Sequence, residues 1–295
     1  MKLSVIIPTH NRADTLKTCL EKLMAQKGVN FEVIVVDDGS TDHTRAAMSD
    51  VRCPMSDCTD IRYIKQSASH QGVARNKGVQ AATGDVVVFI GDDIFVGPDF
   101  LQKHYDRHAE YPDENVAVLG YTTWDPGLNV NGYMKFLESS GWQFGYQFLN
   151  PGMIGKAEPY KFFYTSNISL KKSFLEKEKF NEDFKCYGWE DIELGYRLWK
   201  RHGMEIYYEP EAKAYHHHEI QPSDLPKKMR AVGRSAVHFQ RLQPEVRVIP
   251  QGLRRRALKL ATNNATLPLI RILGDQMYYK FRSWNEFLKG VENKG

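Results

Sequence analysis

Residues 86–93 read VVVFIGDD, five apolar residues followed by a glycine and two adjacent aspartates. Two earlier stretches have the same design: residues 3–12 (LSVIIPTHNR) and residues 31–42 (FEVIVVDDGSTD) begin apolar and end polar. Helical patterns over residues 13–26 and 71–82 separate these runs. Continuous apolar strands that alternate with helices predict an α/β fold, with a mostly parallel sheet covered by helices on both faces.

The polar residues that end these runs are the candidate ligand-binding residues. In open parallel sheets, ligands bind beyond the carboxyl ends of the strands, and the predicted order places all of these residues there. Such an acid-rich edge suits a nucleotide whose hydroxyls bind carboxylates and whose phosphates are neutralised by a divalent cation. The candidates at this edge are Thr9, His10, Asn11, Arg12, Asp37, Asp38, Asp92 and Asp93.

Several common classes of enzyme are excluded by the motifs that the sequence lacks. The first strand runs into Pro8 rather than a G-x-G-x-x-G turn, so a dinucleotide site of that kind is excluded. There is neither a P-loop motif, G-x-x-x-x-G-K-[ST], nor a G-x-S-x-G nucleophile elbow. A net charge of +4 over 295 residues is too balanced to indicate a nucleic-acid-binding protein.

The second half of the chain predicts a helix, two strands and a largely helical end. Residues 187–189 (YGW) lead into a helix predicted over residues 190–202. Residues 205–208 and 212–218 are each predicted as a strand. In the second of these, alternation puts His216 and His218 on one face, so at most two of the three consecutive histidines reach one metal ion.

These motifs together resemble the family 2 glycosyltransferases that have the GT-A fold, a Rossmann-like α/β fold. Residues 5–12, 35–42 and 72–76 are similar in order and spacing to the nucleotide-sugar half of that family. Residues 187–198 (YGWEDIELGYRL) resemble the acceptor-side motif of galactosyl-, N-acetylgalactosaminyl- and bacterial chondroitin-type transferases, in which a later histidine follows. The resemblance covers about residues 1–220, and the combination of motifs is far more specific than any single one.

The resemblance also implies roles for individual residues. Many family members have an aspartate at the position of Gly91, so the number of metal ligands is left open by this sequence. The implied nucleotide-sugar-binding residues are Pro8, Thr9, Asn11, Arg12, Asp38 (on the base), Arg75 and Asp92 (on the ribose). The implied ligands of a Mn²⁺ or Mg²⁺ ion are Asp93 with His216 or His218. The implied catalytic residues are Asp191, as the base, and Glu190, and the implied acceptor-binding residues are Trp189 and Glu190.

The implied reaction is an inverting transfer of a hexosyl or N-acetylhexosaminyl group from a nucleotide-sugar, with a UDP-sugar favoured, to a carbohydrate or lipid-linked glycan. Direct displacement requires one base and a stabilised diphosphate leaving group, but no enzymic nucleophile. Such a reaction would belong to polysaccharide biosynthesis. Two alternatives stay open: a non-catalytic nucleotide-sugar-binding protein of the same fold, and a metal-dependent phosphatase or nucleotidyltransferase.

Each site motif also has a purely structural interpretation. Asp38 and the pair Asp92–Asp93 are typical of strand-to-helix turns, although adjacent carboxylates after a buried strand usually indicate a cation. Glu190 and Asp191 also favour a helix N-terminus through the helix dipole. The three histidines also fit a surface cluster without a ligand.

The last quarter of the chain differs in charge from the rest. Residues 221–295 contain 15 basic and 5 acidic residues, whereas residues 1–220 carry a net charge of −6. We therefore expect a catalytic domain over residues 1–220, with its nucleotide-sugar half at 1–100 and its acceptor half at 101–220, and a basic helical extension over 221–295. In the extension, cations alternate with apolar residues, which is typical of a helix on an anionic membrane and equally of a solvated face or dimer contact.

The expected location is the cytoplasm, with the inner face of the membrane as an alternative. No apolar run reaches the length of a membrane span, and the apolar start of the chain is too short for a signal peptide. The cysteines, Cys19, Cys53, Cys58 and Cys186, form no C-x-x-C pair and are too few for a disulfide framework.

Overall fold

A computed structural model describes residues 1–49, 51, 61–154, 158–263 and 265–293 of the chain. Cys53 and Cys58 lie outside these residues, and within them Cys19 and Cys186 are free thiols. The strands are β1 (Leu3–Thr9), β2 (Phe31–Asp38), β3 (Ile61–Gln66), β4 (Val86–Phe89), β5 (Ile94–Val96), β6 (Val116–Trp124), β7 (Gly152–Met153), β8 (Ile168–Lys171) and β9 (Glu205–His216). The helices are α1 (Ala13–Met24), α2 (Thr44–Ser49), α3 (Gln71–Ala81), α4 (Phe100–Glu110), α5 (Gly132–Ser140), α6 (Lys172–Leu175), α7 (Glu190–His202), α8 (Leu225–Leu242), α9 (Gly252–Ala261), α10 (Leu267–Ile270) and α11 (Asp275–Glu292).

The chain divides into two compact units. Unit 1 contains Met1–Leu128, Phe148–Glu182 and Asp191–His218, and it holds the whole sheet. Unit 2 contains Asn129–Gln147, Asp183–Glu190 and Glu219–Gly295. The domain boundary expected near residue 220 stays a prediction. None of the helices in the described parts of the chain has both the length and the apolar character that crossing a bilayer requires.

The sheet of unit 1 has the strand order β3-β2-β1-β4-β8-β6-β9-β5, with β7 paired to β9. The first four strands of this order are parallel, as the sequence predicts. Beyond β4 the sheet is mixed, because β8 runs antiparallel to both of its neighbours and β5 runs antiparallel to β9. The all-parallel pattern of the N-terminal strands therefore does not extend across the whole sheet.

Helices cover both faces of the parallel strands, as predicted. On one face, apolar residues of β1, β2 and β4 form a core with the buried side of α1, which includes Leu16 and Leu20. On the other face, α3 lies so close to β1 that a Cβ atom at Gly78 would meet the Ile6 side chain at 2.4 Å. Strands covered on both faces are mostly apolar, which is why the sequence pattern identifies them.

The two strands predicted at residues 205–208 and 212–218 are one strand, β9. It pairs in parallel with β6, and the register shifts between Gly120 and Tyr121, where three residues of β9 have no pairing partner. The interruption coincides with Glu209, which is buried and forms an ion pair with Arg107 of α4. A buried, paired carboxylate looks like a loop residue in the sequence, so the prediction split the strand in two.

A polar network lies in the core of unit 1, between α4 and β8. Asn167 donates from its amide nitrogen to main-chain carbonyls of β6 and β9, at 3.1 and 2.9 Å, so its Oδ1 accepts from His104 Nε2 at 2.9 Å. His104 Nδ1 then accepts from the Ser169 hydroxyl at 2.7 Å, and Ser169 in turn accepts from His108 Nε2 at 2.8 Å. Burial lowers the pKa of His104 to about 4, so both imidazoles of this saturated network are neutral at pH 7.

Unit 2 is helical, and its two longest helices approach each other closely. A Cβ atom at Gly233 of α8 would meet the Phe287 carbonyl oxygen of α11 at 2.2 Å, and one at Gly290 would meet the Arg230 carbonyl oxygen at 2.2 Å. Only glycine permits this backbone contact. Beside it, Ala236, Phe287 and Leu288 form the core of the unit.

Candidate active site

The carboxyl ends of β1 and β4 bring four of the predicted site residues together. These parallel strands are neighbours, so the residues that follow them meet at one edge of the sheet. The Thr9 hydroxyl donates to the Asp92 carboxylate at 2.8 Å. Arg12 donates to Asp92 at 3.1 Å and also to Asp93. The predicted convergence of polar residues at this edge is therefore present in the structure.

The pairing of β5 with β9 adds two histidines to this cluster. Ile94 lies opposite His216 in the antiparallel ladder, which puts the preceding residue, Asp93, beside the end of β9. His216 Nε2 lies 3.3 Å from Asp93 Oδ2, and His218 Nδ1 lies 3.4 Å from a guanidinium nitrogen of Arg12. The rings of His216 and His218 stack on the same side of the chain, as the alternation of a strand predicts.

Burial and neighbouring charge divide the two aspartates into different electrostatic states. Burial and the adjacent Asp93 carboxylate raise the pKa of Asp92 to about 6. Burial acts in the same direction on Asp93, but hydrogen bonding to His216 and the charge of Arg12 outweigh it and hold its pKa well below the usual range. Two adjacent acids with a single arginine between them form a site that can accept further positive charge.

The turn between β4 and β5 explains the glycine that precedes these aspartates. A Cβ atom at Gly91 would lie 2.8 Å from Oδ1 of Asp93. Any side chain at position 91 would therefore push the Asp93 carboxylate away from its place beside Arg12 and His216.

The donor set at this edge suits a divalent cation. Carboxylate oxygens and imidazole nitrogens are ligands that Mn²⁺ accepts, and a positive group, the Arg12 guanidinium, already bridges the two aspartates. Within the described residues, no three His, Cys, Asp or Glu side chains form a ready-made cage. The residues therefore fit an ion that takes part of its coordination shell from phosphate oxygens and water, as Mg²⁺ commonly does in nucleotide sites.

Asp38 and Asn11 organise the loops around the same edge. The Asp38 carboxylate accepts hydrogen bonds from the main-chain nitrogens of Ser69 and His70, at 2.7 and 2.9 Å, just before α3. Asn11 accepts from the Thr41 main-chain nitrogen at 2.8 Å. These two predicted nucleotide-binding residues thus fix the loops after β1, β2 and β3 to one another. Their contacts with a nucleotide stay a prediction.

Two residues in these loops have left-handed backbone conformations that are rare without glycine. Asn11, just before α1, has φ 53°, and His70, just before α3, has φ 75°. Conformations of this kind persist only where the surroundings impose them, and they cluster at functional sites.

Two other predicted residues of this edge occupy different settings. Pro8 lies within β1, where it pairs with Val36 of β2. Arg75 is buried on α3, where its guanidinium lies over the Phe180 ring at 5.5 Å and donates to Gln71 at 3.3 Å. A nucleotide role for either residue stays a prediction.

Sequence reasoning missed a hydrogen-bonded aspartate–histidine pair beside the candidate metal ligands. Asp125 follows β6 directly, and its carboxylate lies 2.7 Å from His217 Nδ1. His217 stacks on Phe95, on the opposite side from the other two histidines. The signal that reveals Asp125 is its place after a strand, but β6 was not among the predicted strands. Trp124, in the last position of β6, is buried and stacks on His216.

The predicted acceptor motif begins α7 as expected. Gly188 and Trp189 have φ 94° and 71°, so the chain makes a left-handed turn before the helix starts at Glu190. In unit 2, the Trp189 indole nitrogen donates to the Val232 carbonyl of α8 at 3.1 Å, and its ring packs on Phe239. Glu190 is buried, and Asp191 is half-buried in the first turn of the helix. Their catalytic and acceptor-binding roles stay predictions.

Comparison with known proteins agrees with the resemblance in the sequence. The sequence model of the family described as "Glycosyl transferase family 2" matches residues 4–176. Validoxylamine A glucosyltransferase from Streptomyces hygroscopicus subsp. jinggangensis is 32% identical in an alignment 226 residues long that covers 69% of this chain and 52% of that protein. Chondroitin synthase from Escherichia coli is 28% identical in an alignment 273 residues long that covers 83% of this chain and 38% of that protein. The chain thus spans about half, or less, of the length of these relatives.

Solved structures share the fold at low sequence identity. A mannosyltransferase from Pyrobaculum calidifontis, in complex with GDP-Man and Mn²⁺, has a TM-score of 0.65 at 18% identity, over 98% of this chain and 84% of that one. Residues 1–349 of TarS from S. aureus, in complex with UDP, have a TM-score of 0.57 at 18% identity, over 99% of this chain and 90% of that one. From the matched family model, the curated relatives and this shared architecture, we conclude that the chain belongs to glycosyl transferase family 2 and has the GT-A fold.

Proposed function

We propose that the protein is an inverting, metal-dependent glycosyltransferase that moves a hexosyl or N-acetylhexosaminyl group from a UDP-sugar to a carbohydrate or lipid-linked glycan. The observation that carries the proposal is the cluster of Asp92, Asp93, Arg12, His216 and His218 at the carboxyl edge of the sheet. Membership of the family supports transfer from a sugar donor. Chondroitin synthase and hyaluronan synthase among the relatives support a role in polysaccharide biosynthesis.

The acidic edge would bind the nucleotide part of the donor. Asp38 would contact the base, and Asp92 would bind ribose hydroxyls, with Thr9 and Arg12 orienting its carboxylate. Asp93, with His216 or His218, would hold a Mn²⁺ or Mg²⁺ ion. When bound, such an ion supplies Lewis-acid stabilisation of the diphosphate charge. Complexes of TarS with UDP and of the Pyrobaculum enzyme with GDP-Man and Mn²⁺ support a nucleotide-sugar and a cation here.

The transfer step would require one protein base. The acceptor hydroxyl forms a bond to the anomeric carbon as the bond from that carbon to the diphosphate oxygen breaks. The proton of the hydroxyl passes to the Asp191 carboxylate, and the nucleoside diphosphate leaves with the electron pair of the broken bond. Because a single displacement occurs, the anomeric configuration inverts. Glu190 and Trp189 would bind the acceptor.

Substitution of Asp191 tests the proposed base. Asp191→Asn is expected to lower kcat by about 10²- to 10⁴-fold, the usual contribution of a general base, and to leave thermal stabilisation by UDP with Mn²⁺ unchanged. The control is Asp99→Asn, since Asp99 is an exposed aspartate that also lies at a helix N-terminus, and its side chain does not cap that helix.

The donor class is tested by thermal shift against a panel of nucleotide-sugars, with and without Mn²⁺. Stabilisation by uridine nucleotides that requires the ion supports the proposal, and the same response to guanosine nucleotides would replace UDP by GDP. NMR of the product reports the anomeric configuration. Release of phosphate or pyrophosphate in place of a nucleoside diphosphate would instead identify a phosphatase or a nucleotidyltransferase.

A further inference from the structure

Large apolar side chains are exposed on one stretch of unit 2 to an unusual degree. Within the described residues between 253 and 277, six of them are exposed, with fractions from 36% to 82%. A globular surface carries single exposed apolar residues routinely, but a group of this size marks an interaction surface. The six residues are Leu253, Leu260, Leu269, Ile272, Leu273 and Met277.

Two leucines of α9, Leu253 and Leu260, face away from the rest of the unit. Arg255 and Leu258, three residues apart, are the half-buried positions of this helix. At 100° per residue, Leu253 and Leu260 lie within about 20° of each other on the opposite side of the helix. The stripe that would normally face a core therefore faces outward.

The next segment repeats this arrangement. Leu269, Ile272 and Leu273 are exposed at positions i, i+3 and i+4 across α10 and the 3₁₀ turn that follows it, and Met277 continues the stripe one turn later. Both α9 and α10 pack against the same helix, α11. We name the exposed apolar residues of these two stripes, together with Arg254 and Arg256, the amphipathic face.

The charge of this region is mainly positive. From Val246 to Gly274 the sequence contains six basic residues and no acidic residue. Arg255 and Lys259 form ion pairs with Glu292 of α11, whereas Arg254 and Arg256 extend into solvent. Exposed leucines flanked by exposed arginines match a bilayer with anionic headgroups, because the apolar side chains enter the lipid while the guanidinium groups bind phosphates.

We propose that the amphipathic face docks the protein on an anionic lipid bilayer. A second copy of the chain fits less well, because a symmetric contact would bring together two surfaces on which five basic residues face a single acid, Asp275, between residues 253 and 277. Docking is independent of the proposed catalytic chemistry, since none of these residues belongs to the candidate active site.

Vesicle flotation of the full chain tests the apolar part of the proposal. The protein is expected to float with vesicles of phosphatidylcholine and phosphatidylglycerol, but not with phosphatidylcholine alone, and added salt should weaken binding. Leu260→Ser with Ile272→Ser is expected to lower the partition coefficient about tenfold or more, from the loss of two buried apolar side chains. The matched control is Phe148→Ser, which removes an equally exposed apolar side chain from unit 1.

Neutralising arginines tests the electrostatic part. Arg254→Gln with Arg256→Gln is expected to lower binding to the anionic vesicles roughly tenfold or more, at about 1 kcal/mol per charge. The control, Lys22→Gln with Lys27→Gln, removes the same charge from exposed positions of unit 1 and should bind as the unchanged protein does.

Three results would overturn the proposal. The first is a protein that floats with neither kind of vesicle, or equally with both. The second is control variants that lose as much binding as the test variants. The third is a dimer in light scattering that Leu260→Ser with Ile272→Ser separates, without flotation, since this would identify the face as a contact between copies.

Discussion

Buried polar groups are arranged in opposite ways at the carboxyl edge of the sheet and in the core network between α4 and β8. At the edge, Asp92 and Asp93 are adjacent and share a single arginine, so one pKa is raised and the other is lowered. In the core, His104 and Ser169 belong to a network in which neutral groups satisfy one another. A saturated neutral network stabilises a fold, whereas the raised pKa of Asp92 means that its ionised form costs stability beside a second carboxylate. The difference separates a site arranged for a ligand from one arranged for structure.

The largest expected effect comes from substituting Asp93 at the carboxyl edge of the sheet. Asp93→Asn is expected to lower kcat/KM by about 10³-fold or more, because it removes the charge that would hold the cation and leaves the shape unchanged. The free energy of unfolding without ligand should fall, because the lowered pKa of Asp93 means that Arg12 and His216 stabilise its ionised form in the fold. Steady-state kinetics and urea denaturation measure the two quantities. Near-normal turnover would show that Asp93 holds no catalytic cation.

The complementary change in the core should affect stability alone. Ser169→Ala removes the group that donates to His104 and accepts from His108, and leaves two buried ring nitrogens without a partner. We expect the free energy of unfolding to fall by about 2–4 kcal/mol, from two unsatisfied buried groups. Turnover per folded molecule should be unchanged at a temperature well below the transition. A loss of turnover without a loss of stability would contradict the distinction between the two regions.

As the pH falls, the loss of the His104 contribution should begin before the carboxylates that stabilise the fold, such as Glu32, are protonated. The pKa of His104 is about 4 in the folded protein and about 6.5 in an unfolded chain, so the unfolded state binds a proton that the native state rejects. The contribution of His104 to the free energy of unfolding is therefore fully present above pH 6.5. It is lost as the pH falls towards 4, by up to roughly 3 kcal/mol. Glu32, whose pKa is lowered to about 2 by hydrogen bonds that outweigh burial, loses its contribution only below about pH 4.5.

Urea denaturation at several pH values measures this decline. Over the same range, protonation of Asp92, whose pKa is raised to about 6, stabilises the native state, so the two effects oppose each other. The contribution of His104 is therefore measured as the difference in midpoint between the unchanged protein and His104→Gln, which should narrow as the pH falls from 6.5 to 5. A difference that stays constant would mean that His104 is protonated in the native state as well.

The smallest expected effect is a gain in metal affinity at the edge. Arg12→Gln removes the guanidinium that contacts both aspartates, so Mn²⁺ alone is expected to bind several-fold more tightly, a change of about 1 kcal/mol. Isothermal titration with Mn²⁺ in the absence of nucleotide measures the affinity. The control is Arg62→Gln, which removes an arginine from a carboxylate outside the edge. Weaker Mn²⁺ binding by Arg12→Gln would show that Arg12 helps to form the metal site.

The strand ends were predictable because strands that are buried on both faces form long apolar runs in the sequence. The strands β1, β2 and β4 are mostly apolar, and topology alone then brings Thr9, Arg12 and Asp92 to one edge. The identity of the ligand did not follow from that pattern and came from the resemblance of the motifs to a family.

The second half of the sheet was not predictable for a physical reason. Strand β8 carries Ser169 in its interior, and Asn167 directly precedes it; both are fully buried and look like loop residues. Their partners, His104 and His108, lie on α4, more than sixty positions earlier. A local sequence pattern does not show that a buried polar residue has hydrogen-bond partners so far away along the chain. The interpretation also missed β6, although its first four residues are apolar, and with it the Asp125–His217 pair beyond its end.

The contact between Gly91 and Asp93 constrains how this sequence can diverge. Many family members have an aspartate at position 91, but here a side chain at that position would displace a carboxylate that Arg12 and His216 already hold. Because that oxygen is the end of a side chain, an aspartate at position 91 is accommodated when the Asp93 carboxylate shifts, and the shift weakens the contacts of Asp93 with Arg12 and His216. A change towards the commoner pattern therefore adds one carboxylate while it loosens another.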